Sequence, residues 1–204
     1  MKNFKPDFKR LKKVLLRDGE PDLMPFYEVS ISKHIISALT NKKPTPATIA
    51  QFYHDFRYDY VPITINFGYE REWNSTKDTS DISMGEREFT NDNHGIIETR
   101  EDFNKYPWPD IDQSITKPLC DMSKYLPEGM KIIISTTGGV LENILWLMGF
   151  IPFSYAINDN EELVSDIFNI IGENHIKSLK YCFETSCFDS IGAIELGDDM
   201  GYHN

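Results

Sequence analysis

The segment IGAIELGDDMGYHN sets two adjacent carboxylates, Asp198 and Asp199, directly behind an apolar run, with glycines on either side and Tyr202 and His203 just beyond. Like charges side by side repel, so such a pair calls for a cation, an arginine or a shared proton, unless it is simply solvated in a loop. A second place with chemical content is TTGG, Thr136, Thr137, Gly138 and Gly139, which separates KIIIS from the helical pattern VLENILWLM. A glycine-rich helix entry can present backbone N–H groups to an anion. Alternatively, Thr137 caps the helix and the glycines let backbones approach. Glu28 and Asn66 stand at the ends of two further strand-like runs. A glutamate in that setting either pairs with an arginine or helix N-terminus, or does chemistry. Neither GxxxxGK[ST] nor GxGxxG behind a strand occurs, so a nucleotide fingerprint is absent.

The elements that must position these residues alternate. A helix is expected over 5–18, stopped by Gly19 and Pro21, and a short buried strand over 23–29. Helices follow over 32–40 and 46–57, then a strand over 60–67, whose Pro62 demands an early position or an unpaired N–H. Residues 68–112 form a long polar insert with a small hairpin around Asn91 to Gly95. A helix near 113–125 precedes the strand in KIIISTTGG. The next helix is closed by Gly149, with Pro152 after the stop. A long helix starts at Asn158 or Asp159, with Glu162 completing a capping box and Leu163, Ile167, Ile170 and Ile171 as its apolar stripe. SIGAIEL is the last strand. This order predicts an α/β fold with about four parallel strands, in which chemistry gathers at strand C-terminal ends.

Bulk properties exclude several classes. With 204 residues and 40% hydrophobic content, one globular domain over 1–204 is the expectation. A net charge of −11 argues against a nucleic-acid or anionic-membrane partner. Lys9, Arg10, Lys12, Lys13 and Arg17 alternate with Phe8, Leu11, Val14 and Leu15 and read as a solvated helix face. Cys120, Cys182 and Cys187 show no CxxC or CxxH spacing and read as separate thiols in a reducing compartment. With neither a signal-peptide pattern nor an apolar run of membrane-spanning length, a cytoplasmic protein is expected.

Four blocks carry a resemblance to a known family. RLKKVLLRDGEPDLMPFYEVSI, GIIETREDFNKYPWPDID, LPEGMKIIISTTGGVLENILWLMGFIPFSYAINDNEELVSDIF and GAIELGDDMGY, in that order over nearly the whole chain, resemble the uroporphyrinogen decarboxylase superfamily, in its uroporphyrinogen decarboxylase-like and corrinoid methyltransferase-like branch. The resemblance implies a (β/α)₈ barrel, of which this chain would be the first half, truncated after GDDMG. Such a half leaves sheet edges and an apolar face open, to be covered by a second copy or a complementing C-terminal half-barrel.

For activity, the resemblance is carried residue by residue. Uroporphyrinogen decarboxylases hold their acidic tetrapyrrole with arginines after the first strand, an aspartate after the second and a tyrosine in the helix after the third. Here FYEVSIS sets Glu28 and serines at the first place, INFGYE lacks the aspartate, and Leu145 and Trp146 stand in the helix. Reversed charge repels a polycarboxylate, so methyl transfer with a corrinoid protein is implied rather than tetrapyrrole decarboxylation. The zinc ligands of the methyltransferases belong to the second half, so this chain alone holds no cofactor, zinc being possible with the complementing half. No catalytic residue is assigned. Glu28, Asn66, Thr136, Thr137, Gly138, Gly139, Asp198, Asp199 and Tyr202 are the expected substrate-side wall for a small molecule. The alternative is a non-catalytic remnant or interaction module of the same family.

Overall fold

A computed structural model of the chain describes residues 4–79 and 86–199. In chain order its elements are α1 (Lys9–Leu15), α2 (Lys33–Thr40), α3 (Pro46–Asp55), β1 (Tyr60–Ile65), β2 (Trp73–Lys77), β3 (Glu86–Thr90), α4 (Arg100–Lys105), α5 (Lys117–Ser123), β4 (Lys131–Thr136), α6 (Val140–Met148), α7 (Phe150–Asp159), α8 (Glu161–Glu184) and β5 (Ile191–Glu195). Short 3₁₀ turns precede α5 and β5. The chain forms two compact units, one of Met1–Asn66, Asp112–Thr137 and Leu179–Leu196, the other of Phe67–Ile111, Gly138–Ser178 and Gly197–Asn204.

The first unit is built on a parallel sheet in the order β1-β4-β5. In β4 the run KIIIST is β-branched throughout its centre, and Ile132, Ile133, Ile134 and Ser135 are all buried, as a central parallel strand covered on both faces requires. Its register with β1 runs from Tyr60↔Lys131 to Ile65↔Thr136. Pro62 is tolerated because β1 is an edge strand in this sheet. Thr45 caps α3 by accepting the Thr48 N–H, with Pro46 in the first turn.

The expected strand over 23–29 is absent, which leaves three parallel strands where four were anticipated, in a sheet not closed into a barrel. Two tyrosines explain how the segment does without a ladder. The Tyr60 hydroxyl accepts the Glu28 N–H at 2.6 Å and donates to the Glu28 carbonyl at 2.7 Å, while Tyr53 accepts the Ile31 N–H at 3.1 Å. Pro25 lacks an N–H altogether. Leu23, Met24, Phe26, Tyr27 and Val29 are consequently 45 to 83% exposed, not buried.

The cysteines also depart from expectation. Cys120 of α5 and Cys187, ahead of β5, are joined in a disulfide, and only Cys182 is a free, buried thiol, its pKa raised by desolvation.

In the second unit, β2 and β3 pair antiparallel with Trp73 opposite Thr90, and no strand pair turns around Asn91 to Gly95, where a hairpin was expected, among the described residues. Asn91 instead closes a turn by accepting the Asn93 N–H at 3.0 Å. Gly95 runs against the backbone of α6, where a Cβ would stand 2.1 Å from the Met148 carbonyl carbon. Gly149, at φ 78°, ends α6 as expected, but Pro152 then sits in the first turn of α7, which leaves α6 at an angle of 101°. The long helix begins two or three residues later than expected, at Glu161, and Leu163, Ile167 and Ile171 of its stripe are fully buried. Ile144, Leu147 and Met148 of α6 join them in the core. Among the described residues no single helix is long and apolar enough to cross a membrane.

Candidate functional site

The residues expected to line one wall divide between the two units. Glu28, Asn66, Thr136 and Thr137 belong to the first, Gly138, Gly139, Asp198 and Asp199 to the second, and Tyr202 lies outside the described residues. In the first unit Glu28 is tied through its backbone to Tyr60 and its side chain is exposed. Thr137 does not cap α6. Its N–H and its hydroxyl both donate to the Ile65 carbonyl, at 2.9 and 3.0 Å, which prolongs the β1–β4 ladder by one step.

In the second unit the structure brings Asp198 of GDDMG against Gly139 of TTGG and the first turn of α6. The Asp198 carboxylate accepts the N–H groups of Leu141 and Glu142, at 2.9 and 3.1 Å, the second and third residues of α6. These are the donors a helix leaves without intrahelical partners, and a carboxylate there also meets the positive end of the helix. Gly139, at the cap position, has no side chain to serve them. Its missing Cβ is what admits Asp198, because an added Cβ would lie 2.2 Å from the Asp198 Cγ. Glu142 reaches back to the Gly139 N–H at 3.0 Å. Repulsion within the aspartate pair is therefore relieved by division of labour: Asp198 is bound to backbone and Asp199 is exposed.

Beside this clasp stands a cation that sequence reading missed. The Arg71 guanidinium lies over the Trp146 ring, 4.0 Å from its centroid, and its Nη2 donates to Asn143 Oδ1 at 2.7 Å. Fully buried Asn143 passes the connection on, donating to the Gly139 carbonyl at 2.6 Å. Gly138 makes room for the stack, since a Cβ would stand 2.4 Å from the Trp146 ring. Arg71 forms no ion pair among the described residues, and its Nε is buried without a hydrogen-bond partner. Desolvation lowers its pKa, opposed by Tyr106, Glu142 and Tyr69. A half-buried guanidinium of this kind is held by a π face and an amide, with no carboxylate at ion-pair distance among the described residues, although the Glu142 charge acts on it from farther away.

His175 of α8 is the second orphan. It is 8% exposed, its ring centroid is 4.5 Å from that of Phe67, and Nε2 is buried without a partner. Burial holds its pKa below the ordinary value, with the Asp198 charge opposing. The neighbouring Asn174 donates to the Tyr69 hydroxyl at 3.0 Å, whose pKa burial pushes up to about 12. A signal for His175 was present: it continues the four-residue spacing of Leu163, Ile167 and Ile171. Arg71 carried none, because only folding shows that its charge goes unpaired.

Among the described residues no three His, Cys, Asp or Glu side chains gather as a metal cluster. The arrangement thus offers a capped helix entry, one cation without an ion pair among the described residues and one imidazole whose pKa burial lowers. Comparison of the chain with protein-family models, curated proteins and solved structures finds no match.

Proposed function

We propose that the chain is the substrate-side half of a uroporphyrinogen decarboxylase-like enzyme, nearer to corrinoid-dependent methyl transfer than to tetrapyrrole decarboxylation, acting on a small carboxylate-bearing molecule. The observation that carries this reading is Arg71. A guanidinium that is half buried, stacked on Trp146 and without a carboxylate partner is poised for an anionic ligand, which would supply the missing charge. Asp198 and Gly139 then act as positioning residues, holding the helix entry beside Arg71 through Asn143. The parallel β1-β4-β5 sheet supports a first half-barrel, to be covered by a complementing half or a second copy, with a corrinoid protein as further partner.

Zinc, which the resemblance implies, does not fit the described residues. Cys120 and Cys187 are bonded to each other, Cys182 is enclosed in the core, and no three His, Cys, Asp or Glu side chains gather among the described residues, so zinc ligands would have to come from the complementing half.

The test is titration with succinate, followed by tryptophan fluorescence, on the wild type and Arg71→Met, together with a uroporphyrinogen turnover assay. Saturable quenching that weakens about tenfold or more without Arg71 supports the reading. Equal affinity in both proteins, or measurable turnover of uroporphyrinogen, overturns it.

A second reading, a non-catalytic interaction module, is favoured by one observation. The segment where the family would have its first strand runs outside the sheet with its apolar side chains exposed.

A further inference from the structure

We propose that the first unit carries a separate binding pocket for a medium-chain aliphatic carboxylate, with the Lys33 ammonium as its anion-binding group. The pocket, of about 310 Å³, is bounded by α2, α3, α5, β1 and the segment that leads into α2. Its walls are mostly apolar, with Ile36, Ile49, Ile63, Pro118 and Met122 prominent.

Its origin lies in the absent strand. Pro62, Ile63 and Thr64, three consecutive residues of β1, all line the pocket. Successive strand residues face opposite sides, so a cavity that meets three in a row runs along the strand edge. The other edge of β1 is paired with β4, so this is the free one. Pro62 contributes no N–H there, which lowers the polar cost of setting apolar matter against it.

The charge pattern selects the ligand. Of the eleven lining residues Lys33 alone carries a charge at neutral pH, and no carboxylate is among them, in a chain with 32 acidic and 21 basic residues. Lys33, whose side chain is exposed, makes no hydrogen bond or ion pair with the described residues, whereas Tyr53 accepts the Ile31 N–H and Thr64 is bonded to Ser135; Ser30 is the remaining hydroxyl of the lining. Lys33 also opens α2, directly after the capping Ser32. A cation in the first turn adds to the positive end of the helix dipole, and a bound anion would offset both. An anion bound to Lys33 would meet both the ammonium and the positive helix end, while its chain fills the apolar walls. The volume suits an acid of about eight to ten carbons, at the small end of ligand sites.

Isothermal titration of the whole chain with decanoate, and with decan-1-ol as its uncharged counterpart, tests this. Saturable decanoate binding with a dissociation constant below about 1 mM is expected. Lys33→Ala should weaken decanoate at least fivefold and leave decanol unchanged, Lys33→Arg should keep decanoate binding, and Ile49→Phe, which fills the cavity, should weaken both. Sedimentation velocity on the same proteins covers the rival occupant of a free strand edge, a second copy of the chain. The proposal is overturned by decanoate binding that ignores Lys33→Ala, by the lack of saturable binding, or by a dimer that Ile49→Phe disrupts while decanoate has no effect.

Discussion

Asp198 caps α6 from 57 residues away in sequence, its carboxylate 2.9 Å from the backbone nitrogen of Leu141. The helix cannot supply its own cap because Gly139 stands at that position, and Gly139 must be glycine because Asp198 occupies the space of a Cβ. Each residue type is thus the reason for the other.

This reciprocity predicts unequal losses. Asp198→Ala removes one cap and should cost about 1–2 kcal/mol. Gly139→Ala forces the carboxylate and its loop aside and should cost about 2–3 kcal/mol, since it adds overpacking to the lost cap. In the double variant the two should be strongly non-additive, because they disrupt one contact. Urea denaturation of the four proteins measures this, and simple additivity would sink the account.

His175 predicts a pH dependence. Its folded pKa lies below the ordinary 6.5, so between those values the unfolded chain binds more protons than the folded one. The stability this neutral imidazole permits is full above pH 6.5 and is lost as pH falls through the folded pKa. Urea midpoints followed downward from neutrality should therefore fall more steeply for the wild type than for His175→Phe, which keeps a ring against Phe67. Superimposable profiles would show that His175 is not held neutral.

Tyr60→Phe isolates the link that replaces a strand. Losing the hydroxyl leaves the Glu28 N–H and carbonyl without their shared partner and should cost about 1–2 kcal/mol. The local effect is more diagnostic: hydrogen exchange at the Glu28 amide should accelerate while the β4 amides stay protected until global unfolding. Unchanged exchange at Glu28 would rule out the hydroxyl as its anchor.

The Cys120–Cys187 bond spans 67 residues, and a loop of that length predicts up to about 4 kcal/mol of stabilisation in the chain-entropy treatment. Alkylation of the denatured, unreduced protein should modify Cys182 alone, and dithiothreitol should lower the urea midpoint. Three reactive thiols in protein taken straight from cells would instead place the chain in a reducing compartment, where such bonds are rare.

Much of the secondary structure was legible because its signals are local. Thr45 before Pro46 announced α3, three isoleucines in a row announced a doubly covered β4, and the stripe from Leu163 to Ile171 announced α8. Residues 23–29 misled for an instructive reason. Their composition favours a strand, but a strand needs a partner, and the partner groups at Glu28 and Ile31 were taken by two tyrosine hydroxyls. Pro152 misled likewise, since a proline after a helix stop and a proline in the next first turn look the same in a string.

From the string of residues alone came the α/β class, the positions of TTGG and GDDMG behind apolar strands, and the resemblance those blocks carry. Their neighbours in space came only from the fold. The cap of Asp198 on α6, the reach of Arg71 to Asn143 and the bond from Cys120 to Cys187 join residues 57, 72 and 67 positions apart. Local backbone preferences encode helices, turns and strands over a few residues, but which distant groups meet depends on how buried surfaces pack. Whether a charge such as Arg71 ends up paired or unpaired is settled at that stage, and with it the character of the site.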